Sequence, residues 1–211
     1  MQSFSRSGKL LKEINHTFVT LVPRTSNAST LSSYCRPISC INVLYKLISK
    51  VLSKWLKAVI HDLISENQSA FLQGRKISDA TMLAHELVRD FNNPMGSRLC
   101  LTIDLLKAFD NVNREFIYYM MHCTGFSHTW IGWIRAYIEF PSFSIMVNGS
   151  PSGVFTSNRG IRQGDPLSPY LFVLVIEFSS IRMSLASLPG RIQPVKRGQH
   201  AITHLLFVDA C

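Results

Sequence analysis

The sequence predicts a mixed α and β fold, and three observations support that prediction. Residues 42–59 carry apolar side chains at three- and four-residue intervals, which is the pattern of an amphipathic helix. Residues 15–22 are rich in β-branched and aromatic side chains, which favour a strand. Asn148-Gly149 separates two further extended segments and is a strong signal for a β-hairpin. A chain of 211 residues can bury a core as one large domain or two small ones.

Two short strands begin the chain, over residues 15–22 and 34–39, and a polar loop at residues 25–33 joins them. Arg24 and Arg36 stand near the two ends of this loop. Arginines so placed either hold an anionic group between them or are simply solvated, and on the residues alone the second interpretation is favoured.

The long amphipathic helix is predicted to begin after Asn42, whose side chain can cap it. A basic stripe lies beside its apolar face and consists of Lys46, Lys50, Lys54 and Lys57. Such a stripe is usually a solvated face and otherwise contacts a phosphate backbone. A turn-bearing loop that ends in Arg75 follows, and a second amphipathic helix is predicted over residues 79–91.

Cys100, Leu101, Thr102 and Ile103 favour a strand, with the Asp104 carboxylate at its C-terminal end. Leu101 and Ile103 would share its buried face. A carboxylate where a strand gives way to a loop either caps the turn or binds a metal ion, and the first is commoner. Asn113 is the predicted cap of the helix that follows.

The second half of the chain predicts helices over residues 115–123 and 130–138 and a hairpin over residues 144–155. Residues 159–169 contain two glycines and end in Pro169, which suits the first position of a helix. Because that helix is apolar nearly all round, it is expected to be buried.

The last predicted strand covers residues 201–209. His200 and His204 would lie about 13 Å apart in such a strand, which favours structural histidines over a zinc site.

The composition narrows the class of protein. With 22 Lys and Arg against 13 Asp and Glu, the net charge is +9, which favours a polyanionic partner such as nucleic acid, although ribosomal and membrane-surface proteins are equally basic. The longest apolar run, residues 170–176, is too short to span a bilayer, and no signal peptide is visible at the N-terminus. Five cysteines without a C-x-x-C pair indicate free thiols in a reducing, intracellular compartment.

Three stretches, in this order, resemble the polymerase motifs of reverse transcriptases. They are Asp104-Leu-Leu-Lys107-Ala108-Phe109-Asp110, Arg159-Gly160-Ile161-Arg162-Gln163-Gly164-Asp165-Pro166-Leu167-Ser168-Pro169 and Phe207-Val208-Asp209. The resemblance is strongest to the non-long-terminal-repeat (long interspersed element) retrotransposon family, particularly its plant members. Arg36-Pro37-Ile38-Ser39, Asn42-Val-Leu-Tyr45-Lys46 and Gln68-Ser69-Ala70-Phe71 with Gly74-Arg75 are similar to that family's fingers region.

The resemblance implies an α+β right-hand polymerase. Its fingers region would comprise residues 1–93, and residues 94–211 would form a partial palm with an antiparallel sheet backed by helices, the thumb being absent. An intron-encoded maturase of related fold fits the fingers motifs less well.

The resemblance also implies a chemistry, RNA-directed DNA synthesis with two Mg²⁺ ions, for which Mn²⁺ is a possible substitute. The implied metal ligands are Asp104, Asp209 and the backbone carbonyl of Leu105. The implied nucleotide-binding residues are Arg36, Arg24, Phe109, Gln163 and Gly164, with Phe109 excluding a ribose 2′-hydroxyl. Lys46, Lys50, Lys54 and Arg75 are candidate nucleic-acid contacts. The implied partners are an RNA template, a DNA primer and deoxynucleoside triphosphates, without a membrane.

Several positions depart from the family pattern. Ala210 stands where the third motif has a second aspartate, Asp79-Ala80 stands where a fingers element has Asp-Asn, and Arg24 replaces a more usual lysine. The sequence also stops where the third motif's hairpin should turn back. We therefore expect a truncated or decayed copy that does not extend a primer; the alternative is a non-catalytic nucleic-acid-binding remnant.

Overall fold

The computed structural model describes residues 4, 8, 10–23, 35–89, 99–197 and 200–206, and within them the chain forms six strands and six helices. In chain order these are β1 (His16–Pro23), β2 (Cys35–Ile41), α1 (Val43–Leu63), α2 (Ile77–Arg89), α3 (Ala108–Asn111), α4 (Arg114–Cys123), α5 (His128–Ile138), β3 (Ser142–Val147), β4 (Ser150–Thr156), α6 (Ser168–Ser187), β5 (Val195–Arg197) and β6 (His200–Ile202). The mixed α+β class is therefore confirmed.

Two compact units divide the chain, and each is built from two separate stretches. The first comprises Met1–Trp55 and Lys107–Pro169, and the second comprises Leu56–Leu106 and Tyr170–Cys211. The four-stranded sheet belongs to the first unit, and the β5–β6 pair belongs to the second. The finer division into fingers and palm at residue 93 stays a prediction.

The sheet of the first unit has the strand order β2-β1-β3-β4. β1 is antiparallel to β2 and parallel to β3, so the sheet is mixed. The predicted hairpin is confirmed as β3–β4, and its turn has positive φ at Asn148 (49°) and Gly149 (80°), as a tight two-residue hairpin turn requires. The two predicted N-terminal strands are confirmed as β1 and β2, while the loop predicted between them lies outside the described residues.

The predicted helix caps are present. Asn42 Oδ1 accepts a hydrogen bond from the Leu44 amide (2.9 Å) at the start of α1. Asn113 Oδ1 accepts from the amides of Glu115 (2.9 Å) and Phe116 (3.4 Å) at the start of α4. Each bond satisfies an amide that the first turn of a helix leaves without a partner.

The core of each unit comes mainly from the helices and partly from the loops beside them. In the first unit the buried side chains include Tyr45, Ile48, Leu52, Ile117, Met121, Ile134, Tyr137 and Leu167. In the second unit they include Leu56, Ile60, Ile64, Leu72, Leu171, Phe172, Val173 and Leu174. The apolar stripe predicted for α1 thus contributes to both cores.

The strand predicted for residues 100–103, with Asp104 at its end, is wrong. No strand forms over residues 99–105, and Leu101 and Ile103 are 73% and 64% exposed rather than buried. Alternating apolar residues specify a strand only where a neighbouring strand accepts the backbone hydrogen bonds. Among the described strands, none pairs with this segment.

The expectation of a buried α6 is correct only for its first half. Leu171, Phe172, Val173 and Leu174 are buried, whereas Ile181, Met183 and Leu185 are exposed. An apolar composition on every side allows burial but does not specify what covers each face. By length and composition alone, α6 would pass for a membrane span, a test that core helices of soluble domains also pass.

The last predicted strand is interrupted. β6 ends at Ile202 after pairing with β5, and Leu206 forms an isolated parallel bridge with Gln68. The chain changes pairing partner at Thr203, which a periodic pattern cannot reveal. Residues 207–209 lie outside the described residues.

Candidate active site

Two of the three sequence motifs are joined by backbone hydrogen bonds in the first unit. The Ile161 amide donates to the Phe109 carbonyl (2.9 Å), and the Gly160 amide donates to the Val112 carbonyl (2.8 Å). We call this contact between residues 107–112 and 159–162 the motif junction. It brings together chain segments that local sequence signals cannot connect.

Gly160 is required by the close approach of the two segments. Its φ is +85°, and a Cβ at this position would lie 2.8 Å from the Asp110 carbonyl oxygen and 3.0 Å from the Asp110 Cα. Both neighbours are backbone atoms, so neither can rotate away. Any side chain at residue 160 would therefore force the motif junction apart.

Lys107 is the second residue of the junction with a positive φ angle, after Gly160. It has φ 50° and ψ 48°, the left-handed region that residues other than glycine rarely adopt. Its carbonyl accepts hydrogen bonds from the amides of Asp110 (3.0 Å) and Asn111 (3.1 Å), so the chain turns into the short helix α3 directly after Leu106. Such conformations cluster at functional sites because the surrounding structure has to maintain them.

Arg114 holds the loop before Gly160 in place. Its guanidinium donates to the carbonyls of Ser157 (2.7 Å), Arg159 (3.0 Å) and Gly160 (2.9 Å), and it also donates to Ser157 Oγ (2.9 Å). Arg114 is not among the site residues predicted from the sequence. One sequence signal does point to it. A cation in the first turn of a helix interacts unfavourably with the helix dipole, so an arginine at this position indicates a separate structural role.

Asp165 is the buried anchor on the other side of the motif. Its side chain is 3% exposed, and Oδ1 accepts from Ser49 Oγ (2.5 Å) and the Tyr137 hydroxyl (2.7 Å), while Oδ2 accepts from Ser168 Oγ (3.3 Å). Burial raises the pKa of Asp165, and the hydrogen bonds from Ser49 and Tyr137 only partly oppose it. No local sequence pattern could have found these partners, because Ser49 lies 116 residues away.

Arg162 is a buried cation beside this network. Its Nη2 donates to the carbonyl and to Oδ1 of Asn15 (both 2.6 Å), and the guanidinium lies 4.2 Å over the Tyr45 ring. Its Nε and Nη1 have no hydrogen-bond partner within the described part of the chain. A guanidinium stacked on an aromatic ring keeps its positive charge in an apolar setting.

A cleft of about 550 Å³ opens at the motif junction. Among its lining residues are Tyr45, Asp110, Phe143, Arg159, Arg162 and Asp165. The cleft therefore combines aromatic faces with arginine and carboxylate groups, which suits a ligand with a planar ring and charged substituents. All of these residues belong to the first unit.

The sequence-predicted nucleotide residues fall partly in this region. Gln163 and Gly164 are exposed between the anchored Arg162 and Asp165, and Phe109 is half-buried at the junction. Arg36 lies in β2 opposite Val22 of β1. Arg24 lies outside the described residues.

The predicted nucleic-acid contacts differ in their surroundings. Lys46, Lys50 and Lys54 are exposed on α1, as a contact with a phosphate backbone requires. Arg75 instead donates to the carbonyls of Ile64, Ser65 and Gln68, so in this structure it braces its own loop. Its contact with nucleic acid stays a prediction.

Of the predicted metal ligands, Asp104 and Leu105 belong to the second unit. Asp104 is exposed, next to Leu105, and Asp209 lies outside the described residues. Among the residues that the structure describes, no three His, Cys, Asp or Glu side chains converge on a metal position. The donor types nevertheless fit Mg²⁺, because the exposed Asp104 carboxylate and the Leu105 carbonyl are hard oxygen ligands.

Comparison with known proteins identifies the family. Residues 25–210 match the family model described as reverse transcriptase (RNA-dependent DNA polymerase). The chain is 27% identical over 172 residues to the Transposon TX1 uncharacterized 149 kDa protein of Xenopus laevis, covering 82% of this chain and 13% of that protein. It is 27% identical over 191 residues to the Retrovirus-related Pol polyprotein from type-1 retrotransposable element R2 of Popillia japonica, covering 90% and 26%.

A third relative is the Retrovirus-related Pol polyprotein from type-2 retrotransposable element R2DM of Drosophila melanogaster, 28% identical over 170 residues, covering 81% of this chain and 16% of that protein. The chain thus spans between 13% and 26% of the length of these relatives. Two of these relatives are named as proteins of retrotransposable elements. Since the family model matches most of its length, the chain belongs to the reverse transcriptase (RNA-dependent DNA polymerase) family.

Proposed function

We propose that this chain is the RNA-directed DNA polymerase domain of a retrotransposon, with a fingers region in residues 1–93 and a palm in residues 94–211, and that Ala210, at the position of the family's second aspartate, leaves the native chain inactive. The observation that carries the proposal is the motif junction, where residues 107–112 and 159–162 are held together by backbone hydrogen bonds beside a cleft. A polymerase needs such a preorganised surface, because most of its catalytic power comes from positioning.

The nucleotide is proposed to bind at the junction. Gln163 and Gly164 are exposed while their neighbours Arg162 and Asp165 are buried, so a rigid frame presents an exposed edge to the sugar and base. Phe109 is proposed to exclude a ribose 2′-hydroxyl. Its carbonyl is already tied to Ile161, so its backbone cannot shift to make room.

The remaining contacts are proposed from the charge and the family pattern. Arg36 and Arg24 would bind the triphosphate of the deoxynucleotide. The exposed lysines of α1 would bind the backbone of the RNA template or DNA primer, consistent with the net charge of +9.

The metal ligands are proposed to be Asp104, Asp209 and the Leu105 carbonyl, and Mn²⁺ is expected to replace Mg²⁺. When bound, the two ions would activate the primer 3′-hydroxyl and neutralise charge on the triphosphate. The exposed carboxylate of Asp104 can exchange water for a cation without breaking a buried contact.

A second candidate function is nucleic-acid binding without catalysis, and Ala210 is the observation that favours it. The family pattern has a second aspartate at this position, and fewer carboxylates mean weaker Mg²⁺ binding. Both candidates predict salt-sensitive binding of nucleic acid, so only chemistry separates them.

The test is primer extension on an RNA template with Mg²⁺ and then Mn²⁺, using the native chain, Ala210→Asp, and Ala210→Asp with Asp104→Ala. The proposal predicts no extension by the native chain, extension by Ala210→Asp, and loss of that extension when Asp104 is replaced. If a folded Ala210→Asp protein binds the primer–template but does not extend it in the presence of Mg²⁺ or of Mn²⁺, the non-catalytic function is established instead.

A further inference from the structure

All three tryptophans of the chain lie in one cluster in the first unit. The ring centres of Trp55 on α1 and of Trp130 and Trp133 on α5 are 5.9 to 6.1 Å apart. Phe126 stacks on Trp130 from the segment before α5, with 6.1 Å between the ring centres and 21° between the ring planes. We call Trp55, Phe126, Trp130 and Trp133 the aromatic cluster.

The aromatic cluster is only partly covered by the rest of the chain. Trp55 is 48% exposed, and Phe126, Trp130 and Trp133 are half-buried. Gly8 borders Trp133, since a Cβ at Gly8 would lie 3.9 Å from the ring atom Cδ1, whereas Trp55 is the most exposed ring of the four. Rings that only joined α1 to α5 would be buried between the two helices. A group of large aromatic side chains that stay exposed together is typical of a binding surface.

Exposed lysines of α1 run beside the aromatic cluster. Lys46, Lys50 and Lys54 stand four residues apart, so they leave the helix about 6 Å apart along its axis. Lys54 directly precedes Trp55 in the sequence, which puts the lysine row about 100° around the helix from the ring. These lysines form no ion pair with another residue that the structure describes. Neither α1 up to Trp55 nor α5 contains an aspartate or a glutamate, so the charge that these two helices carry is positive only.

Unpaired nucleic acid is the ligand that matches both features. Each of its bases has two flat faces that stack on an aromatic ring, and each of its phosphates can pair with a lysine. A duplex hides the faces of its bases in its own stack, so it could use only the lysines. A protein partner that covered the rings with apolar side chains would leave the lysine row without a counter-charge.

We propose that the aromatic cluster and the lysines of α1 bind single-stranded nucleic acid, with a base stacked on Trp55 and phosphates held by Lys50 and Lys54. The inference takes from the proposed function only that nucleic acid is the ligand of this chain, and it holds for the catalytic and the non-catalytic candidate alike. The site tolerates any base, because every base presents a flat face. Among the described residues that line the cleft, none belongs to the aromatic cluster, so this site is separate from the proposed nucleotide site.

The test combines two readouts on the native chain. The fluorescence anisotropy of a labelled oligouridylate measures affinity, and the chain's own tryptophan emission reports the place of binding, because all three tryptophans belong to the cluster. We expect saturable quenching of that emission by unlabelled oligouridylate and oligothymidylate, with the midpoint that anisotropy gives. An abasic strand of the same length carries the same phosphates without bases, so it should bind more weakly and leave the emission unchanged.

Two substitutions separate stacking from charge. Trp55→Leu keeps an apolar side chain on α1 but removes the ring, so it should weaken binding roughly fivefold or more, with Trp55→Phe restoring part of the loss. Lys54→Gln should instead lower the slope of log affinity against log salt concentration by about 0.7, a slope that Trp55→Leu leaves unchanged. The control is Tyr119→Leu, the loss of an exposed ring on α4 outside the cluster, which should bind as the native chain does.

Native affinity in Trp55→Leu, or binding seen by anisotropy without a change in tryptophan emission, would overturn the inference and leave the proposed function intact. Tryptophan emission that changes with protein concentration alone, together with a dimer in light scattering, would assign the cluster to a second copy of the chain instead. Equal quenching by the abasic strand would rule out base stacking even if Trp55→Leu failed to fold. A native chain that binds no strand at all would contradict the proposed function as well as the inference.

Discussion

The motif junction and the segment at residues 99–105 carry neighbouring parts of the same family motifs, yet they are organised differently. The junction is held by backbone bonds, by the Arg114 guanidinium and by the buried Asp165 carboxylate. The segment that ends before Leu106 has no strand partner among the described residues and exposes Leu101 and Ile103. The comparison teaches that the proposed nucleotide side of this domain is ordered by its own buried polar groups.

The largest expected effect comes from opening the junction. Gly160→Ala should lower the free energy of unfolding by roughly 1–2 kcal/mol through its left-handed φ, and by roughly a further 1–3 kcal/mol through the contact with the Asp110 backbone. Gly125→Ala is the matched control, because Gly125 has φ +84° and a Cβ added there would have no atom within 4 Å. Equal losses in the two variants, measured by urea unfolding, would show that the junction is not tight.

Replacing the residue that braces the loop should cost somewhat less. Arg114→Met keeps much of the volume but leaves the carbonyls of Ser157, Arg159 and Gly160 without their donor, so we expect a loss of roughly 2–4 kcal/mol. Arg135→Met is the control, since its pairs with Glu115 (3.1 Å) and Glu139 (3.3 Å) are partly exposed and should contribute about 0–1 kcal/mol. If Arg114→Met loses no more stability than the control, the Arg114 guanidinium does not stabilise the loop before Gly160.

The anchor at Asp165 should appear in the pH dependence of stability. Because burial raises its pKa, the folded state holds the proton more tightly than the unfolded chain. Its contribution is thus fully present below the ordinary aspartate range and is lost as the pH rises through the raised value, at about 1.4 kcal/mol for each pKa unit of difference. Asp165→Asn should flatten this slope while its amide oxygen still accepts from Ser49 and Tyr137. A slope identical to that of the native chain would mean that Asp165 is not the group responsible.

The smallest effect is expected in the exposed segment. Leu101→Ser and Ile103→Ser should each change the free energy of unfolding by less than about 0.5 kcal/mol, as surface substitutions usually do. Leu72→Ala, in the buried core of the same unit, should cost roughly 2–5 kcal/mol and calibrates the measurement. A loss above about 2 kcal/mol in either serine variant would show that the side chain is buried, as the strand predicted from the sequence requires.

The sequence was informative wherever a structure depends on neighbours within a few residues. Asn42 and Asn113 predicted their helix caps, and Asn148-Gly149 predicted the hairpin turn, because each interaction closes within a few residues. The family motifs predicted Gln163 and Gly164 as functional residues but not what fixes them. Asn15 and Arg162 are 147 residues apart, and Tyr137 and Asp165 are 28 apart, so no local pattern could pair them. The strand predicted for residues 100–103 failed for the same reason, since its formation depends on a partner elsewhere in the chain.

The central claim is that the motif junction is the nucleotide site, and the preference for deoxyribonucleotides over ribonucleotides tests it most directly. The ratio of kcat/KM for the two substrates should be measured in the Ala210→Asp protein with and without Phe109→Val, with Phe116→Val on α4 as the aromatic control. Removing the bulk of Phe109 should raise relative ribonucleotide use by roughly tenfold or more, since discrimination by steric fit acts on kcat/KM, at about 1.4 kcal/mol per tenfold. A ratio that is unchanged by Phe109→Val would contradict the account and leave Phe109 as a packing residue.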